Sequence, residues 1–208
     1  MNSDAARKEF RALMERLEPE PEHTGHVAAL ALRLFDELAP LHGLGMRERL
    51  ILEGAACLHD VGWTVAQRGA GHHKHSARLI RKHPWKEWNR LEVELLAQVA
   101  RYHRRALPSK EHTDFIALTQ EQREIVRRLA SLLRLADAFD RSHLQIVRDL
   151  RARILSSGVE ITLVCRESPA REIAGALKKE NLARQVFGRA IVYRYEIISL
   201  KPPPSTPT

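Results

Sequence analysis

Apolar positions recur at helical spacing through the first two thirds of the chain. Phe10, Leu13, Met14 and Leu17 predict a helix over 5–17, and the Glu18-Pro19-Glu20-Pro21-Glu22 run ends it. A second helix is expected from about Thr24 to Ala39, with Val27, Leu30, Ala31, Leu34, Phe35 and Leu38 as its buried stripe. His26 precedes Leu30 by four residues and falls on that stripe. A third helix runs from about Met46 to the His59-Asp60 pair, carrying Leu50, Ile51, Gly54, Ala55 and Leu58 inward, with Gly62 as its stop. Residues 63–71 read as a loop, followed by a short helix that starts near His75 or Ser76 and breaks at His83-Pro84. Asn89 with Glu92, and Thr119 with Gln122, have the spacing of capping boxes. The first opens a helix over 91–105 whose stripe is Leu91, Leu95, Leu96, Val99 and His103. The second continues through Ile125, Val126, Leu129, Leu132, Leu133 and Ala136, so that Asp137, four residues after Leu133, points into the core.

Near residue 147 the period changes from helical to alternating. Leu150, Ala152 and Ile154, then Val159, Ile161, Leu163 and Cys165, flank a Ser156-Ser157-Gly158 turn and predict a hairpin. One or two helices follow, and after Gly188 a last strand carries Ile191, Tyr193, Tyr195 and Ile197 on one face. The expected fold is mainly α, with a helical domain over 1–147, a small α+β (ββαβ) unit over 148–200 and a disordered tail over 201–208.

Composition narrows the class. With 208 residues, 44% of them hydrophobic, the chain is long enough to bury a sizeable core. Cys57 and Cys165 lie far apart within apolar runs, which suits core positions in a reducing compartment rather than a disulfide framework. The first twenty residues lack the apolar centre of a signal peptide and no run approaches the ~20 apolar residues of a membrane span, so a cytoplasmic protein without a membrane partner is expected. A net charge of +8 favours polyanions such as phosphate chains, nucleotides or nucleic acid, against the plain alternative of a solvated basic surface.

The candidate chemistry lies in LHDVGWTVAQRGAGHHKHS, residues 58–76. An adjacent imidazole and carboxylate, His59-Asp60, offer one nitrogen and one oxygen to a divalent metal. A lone His26 or His103 on an apolar face reads as a hydrogen-bonded core histidine, and a lone buried Asp137 needs a cationic partner. A shared cation satisfies His26, His59, Asp60 and Asp137 together, and these four come from three core helices.

This pattern resembles the HD superfamily of metal-dependent phosphohydrolases. More closely, LHDVGW, GHHKHSARLI, VARYHRRALP and LLRLADAFDRS look like the C-terminal HD region of the Ppx/GppA exopolyphosphatases and guanosine pentaphosphate phosphohydrolases, over roughly residues 10–200. The resemblance implies an HD-type helical domain in which His26, His59, Asp60 and Asp137 are ligands, with a possible second ion on His75 and His103 bridged by Asp60. It also implies that exopolyphosphate hydrolysis belongs to an actin-like domain pair whose Gly-rich phosphate loops this sequence does not supply, so that activity is not transferred. Some members use a degraded HD pair in this region for polyphosphate binding and dimerisation; here the pair is intact.

The expected chemistry is hydrolysis of a phosphoester or phosphoanhydride in a nucleotide, a guanosine polyphosphate or polyphosphate, using one or two divalent ions of Mn, Fe, Co, Ni, Zn or Mg. Asp60, His73 and His75 are the candidate catalytic residues, with His72 and His73 otherwise read as a solvated loop. Lys74, Arg104, Arg105, Arg134 and Arg141 are the candidate phosphate contacts, and Asp140 is a candidate outer partner of the ligands. The rival reading is a non-catalytic module that captures polyphosphate or a nucleotide; under either reading a second copy of the chain is among the expected partners. Nucleic-acid binding through Arg151, Arg153, Arg194, Tyr193 and Tyr195 is a weaker third reading.

Overall fold

The computed structural model describes residues 3–198; the tail expected over 201–208 lies outside the described residues. Ten α-helices and three strands follow in the order α1 (Ser3–Leu17), α2 (Pro21–Glu37), α3 (Ala39–His42), α4 (Met46–Leu58), α5 (His72–Lys82), α6 (Arg90–Arg101), α7 (Thr113–Ile116), α8 (Gln120–Phe139), β1 (Val147–Leu155), β2 (Gly158–Cys165), α9 (Ala170–Lys179), α10 (Asn181–Phe187) and β3 (Ala190–Ile197). Between α4 and α5 the chain makes two short 3₁₀ turns, Val61–Thr64 and Gln67–Gly69. The architecture is the mainly helical one expected, with a small sheet at its C-terminal end.

The central helix is α4. Every residue from Leu50 to Leu58 is buried, because α1, α2, α6 and α8 surround it. Its one buried charge, Glu53, is neutralised by Arg7 at 2.8 Å and Arg11 at 3.3 Å from α1. Both capping boxes form as their spacing predicts: Asn89 accepts the Glu92 N–H at 3.0 Å, and Thr119 accepts the Gln122 N–H at 3.3 Å. Two boundaries differ from expectation. α5 begins at His72, after Gly71 in the left-handed region (φ 71°), so His72 and His73 are helical and buried rather than in a polar loop. α6 ends at Arg101, which leaves His103, Arg104 and Arg105 on the turn beyond it.

β1 and β2 pair antiparallel, with Leu150 opposite Leu163, and β2 and β3 pair parallel, with Ile161 opposite Tyr193. The sheet order is β1-β2-β3, and α9 and α10 make the crossover between the parallel strands. Leu150, Ile161, Leu163 and Cys165 join the buried apolar cluster of the helices. The outer edge of β1 is closed by α2: His26 Nε2 donates to the Val147 carbonyl at 2.7 Å, Arg33 Nε to the Leu150 carbonyl at 3.0 Å, and Glu37 accepts the Ala152 N–H at 2.9 Å. His26 is therefore a half-buried edge-strand partner and does not face the other expected ligands.

Candidate metal centre

Four helices bring five residues to one point. His59 is the C-cap of α4, Asp60 follows it, His23 sits in the first turns of α2, His103 lies just past α6, and Asp137 belongs to α8. Among the described residues, His23, His59 and Asp137 offer ligand atoms within 4.8 Å of one another, as do His59, Asp60 and His103, so His59 is common to both sets. Gly62 presses the His59-Asp60 turn onto α5. Its N–H donates to Ser76 Oγ at 2.9 Å, and a β-carbon there would lie 2.1 Å from the His72 carbonyl oxygen. The start of α5 is thereby fixed so that His72 Nε2 is 3.1 Å from Asp60 Oδ1.

Hydrogen bonding fixes the tautomers. The Nδ1 of His59 meets the Ala56 carbonyl at 2.7 Å, that of His103 the Ala100 carbonyl at 2.7 Å, and that of His23 the Asp140 carboxylate at 2.7 Å. Carbonyls and carboxylates only accept, so each Nδ1 carries a proton, and a neutral ring in that tautomer has its lone pair at Nε2. Those lone pairs face carboxylate oxygens: His103 Nε2 to Asp60 Oδ1 at 3.4 Å, His59 Nε2 to Asp60 Oδ2 at 3.7 Å, and His23 Nε2 to Asp137 Oδ1 at 3.8 Å. Burial holds His103 well below the ordinary imidazole value, keeping it neutral. Burial opposes ionisation of Asp60, yet His59, His72 and His103 around it hold it below the usual carboxylate range. Asp137 is lowered likewise against its burial, chiefly by Lys179. Among the described residues, the buried Nε2 atoms of His23 and His59 and Oδ1 of Asp60 have no hydrogen-bond partner. Converging acceptors with no proton between them repel, and a divalent cation is the species that such a nitrogen-and-oxygen set fits.

The cluster forms part of the wall of a cleft of about 1060 Å³. Arg104, Arg105 and Arg141, expected to contact phosphate, line it, and so do Arg171, Lys178 and Lys179 from α9. Glu18 and Glu20 line it as well. Lys179 Nζ pairs with Asp137 Oδ2, leaving Oδ1 toward the histidines. The remaining expected residues lie elsewhere. Lys74 is exposed and lines a second, smaller depression with Arg78, Arg81, Lys82 and Arg101. Arg134 is buried, donating to the carbonyls of Tyr102 at 3.0 Å, Lys179 at 3.4 Å and Arg105 at 3.5 Å, so it braces the turn that carries His103. His75 is half-buried on α5 and belongs to neither ligand set. His73 is buried with its ring 6.4 Å from His103; burial, then His72 and Arg104, push it down to about 4, so it is a neutral imidazole beside the ligands.

Sequence reading missed His23 and Lys179, and weighed His72 as a solvated loop residue against a phosphate contact or proton shuttle, whereas it is buried beside Asp60. His23 had a signal: it stands four residues before Val27, on the same stripe that drew attention to His26. Asp140, expected as an outer partner of the ligands, hydrogen-bonds His23. Lys179 had no local signal, because α9 meets α8 only in the tertiary fold.

A mainly helical chain with a histidine–aspartate cluster in a basic cleft is thus the class defined by fold and site. The family model for Ppx/GppA phosphatase, domain III, matches residues 7–185. The chain belongs to the Ppx/GppA phosphatase family, through that family's domain III.

Proposed function

We propose that this chain is a divalent-metal-dependent phosphohydrolase of HD type, acting on a phosphoester or phosphoanhydride of a nucleotide, a guanosine polyphosphate or polyphosphate. The observation that carries the reading is the convergence of the Nε2 atoms of His23, His59 and His103 on carboxylate oxygens of Asp60 and Asp137, with His23 Nε2, His59 Nε2 and Asp60 Oδ1 buried and without a hydrogen-bond partner among the described residues. His23, His59, Asp60, His103 and Asp137 would hold the metal, as one ion or as two of which the single Nε2 lone pair of His59 would serve one. A bound divalent ion supplies Lewis acidity toward a phosphoryl oxygen and makes water a nucleophile at neutral pH. The protein's part is orientation and charge. The Ala56 and Ala100 carbonyls and the Asp140 carboxylate hold the three imidazoles in the ligating tautomer. Arg104, Arg105, Arg141 and Lys178 ring the cleft, where guanidinium forks and an ammonium bind non-reacting phosphate oxygens.

One observation favours a non-catalytic phosphate-binding module instead. Lys179 already neutralises Asp137, as a tethered cation does in a site that captures anions without turnover. Phosphate release separates the two readings. Polyphosphate, guanosine tetra- and pentaphosphate, nucleoside phosphates and cyclic dinucleotides are offered to wild type, His59→Ala and Asp60→Ala with Mn, Fe, Co, Ni, Mg or Zn. Metal-dependent release that both substitutions abolish is the expected result. Ligand binding without release in any metal sinks the hydrolase and leaves the binding module.

A further inference from the structure

A hydrolase of this kind needs a proton for the departing oxygen, and the residues assigned above have none to give. His23, His59 and His103 have committed their Nδ1 protons to acceptors, and Asp60 and Asp137 are ionised. Arginines and lysines bind phosphate but are poor acids near neutrality.

Glu20 and His143 also line the cleft, but they are exposed and pair with each other; Glu18 is the buried acid left there. It lies just past α1, and its N–H still bonds the Met14 carbonyl at 2.7 Å. Pro19 follows in the link to α2 and Pro21 opens that helix, and both restrict the backbone beyond Glu18. The side chain is turned inward: the residue is only 7% exposed, Oε1 accepts the Glu20 N–H at 3.2 Å, and Oε2 is buried with no hydrogen-bond partner. It lines the same cleft as Asp60, His23, His103 and Arg104. Burial without a cation on its free oxygen favours the neutral form of a carboxyl, and a carboxylic O–H in the wall of a phosphate cleft is a donor that the metal ligands do not supply.

We propose that Glu18 is the general acid of this site, a role that rests on the hydrolase reading above. As the oxygen of water bonds to phosphorus and the bond from phosphorus to the leaving oxygen breaks, the Oε2 proton passes to that oxygen. The attacking water gives up one proton, and solvent returns one to Glu18, so water adds across the broken bond and the enzyme is unchanged. Burial accordingly raises the Glu18 carboxyl to about 7; the Glu20 N–H and His23 oppose the rise, and Asp60 and the Glu20 carboxylate add to it.

The test varies the leaving group. Wild type and Glu18→Gln, loaded with manganese, are compared on a nitrophenyl phosphoester, whose phenolate departs unassisted, and on the matching alkyl ester, whose alkoxide needs a proton. Glu18→Gln is expected to lose about a hundredfold or more on the alkyl ester and little on the nitrophenyl ester. Its manganese affinity by calorimetry is expected to match wild type. Equal losses on both esters, or a fall in manganese affinity, overturn the role and leave the hydrolase standing. No turnover of either ester by wild type, with the natural substrate panel also inert, overturns both. Infrared spectroscopy on manganese-loaded wild type gives a readout independent of turnover and of how well the variant folds. A protonated-carboxyl band that persists at pH above the ordinary carboxylate range is expected, and the absence of such a band overturns the role.

Discussion

A buried imidazole that donates Nδ1–H to a buried carboxylate presents its Nε2 lone pair in one direction, and His23 stands in that relation to Asp140. Asp140→Asn is expected to weaken manganese binding about 10- to 100-fold by calorimetry, because an amide holds the ring less firmly and makes it a weaker base. His26→Ala tests the other side of the same helix. It is expected to leave manganese affinity unchanged and to cost about 1–3 kcal/mol in chemical unfolding, since the Val147 carbonyl loses its donor. The apolar stripe of α2 was legible in the sequence, but not which of two histidines faced the site. Three residues apart is only about 60° around a helix, so both flank the buried face, and tertiary partners decide between them. Glu18 makes a further residue-scale prediction for the metal-free chain. Its carboxyl is raised from 4.5 to about 7, so its contribution to stability is complete below 4.5 and is lost as the pH rises through 7. Glu18→Gln, which cannot ionise, is expected to be more stable than wild type above that range, by on the order of 3 kcal/mol in urea unfolding, and the difference is expected to shrink toward acid pH. A difference that does not vary with pH would show that Glu18 does not titrate with the fold.

At the scale of elements, the centre depends on where helices stop and start. α6 and α8 announced their beginnings, because Asn89 and Thr119 are side-chain caps with glutamate or glutamine at the right distance. α5 did not, because it starts from Gly71 through backbone conformation, and no side-chain acceptor marks the place. The end of α6 was hidden for another reason: Arg134, distant in sequence, donates to the carbonyls of Tyr102 and Arg105 on the turn beyond it. The contact of α5 with the His59-Asp60 turn is close enough for one methyl group to break. At Gly62 a β-carbon would meet the His72 carbonyl oxygen at 2.1 Å and the Ser76 nitrogen at 2.4 Å, both backbone atoms that cannot rotate away. Gly62→Ala is therefore expected to lower stability by about 1–3 kcal/mol or more and to weaken manganese binding with it, as Asp60 and His72 are pushed apart. Thermal unfolding and calorimetry on the same sample check both; unchanged metal affinity in a destabilised variant would mean that α5 does not position Asp60.

Across the whole molecule, the link that sequence reading could not supply is the one between α9 and the helical core. The +8 charge was plain, but its concentration along one cleft depends on α9 packing against α8, which puts Lys179 on Asp137 across 42 residues of sequence. Lys179 therefore carries two opposed effects. Its ammonium competes with a metal for Asp137, and it adds positive charge where a phosphate would lie. Lys179→Met keeps most of the packing of the stem and removes the charge, so manganese should bind the metal-free variant more tightly than wild type, while tripolyphosphate binding weakens about tenfold or more. Lys178→Met removes a neighbouring charge that makes no ion pair with Asp137, and should weaken tripolyphosphate alone. Calorimetry with manganese and with tripolyphosphate, each at two salt concentrations, separates the effects, because the anion term is the more strongly screened. If both variants weaken both ligands equally, α9 matters for the fold of the cleft and not for its charge; opposite signs for manganese and tripolyphosphate at Lys179 alone place that residue electrically between metal and substrate.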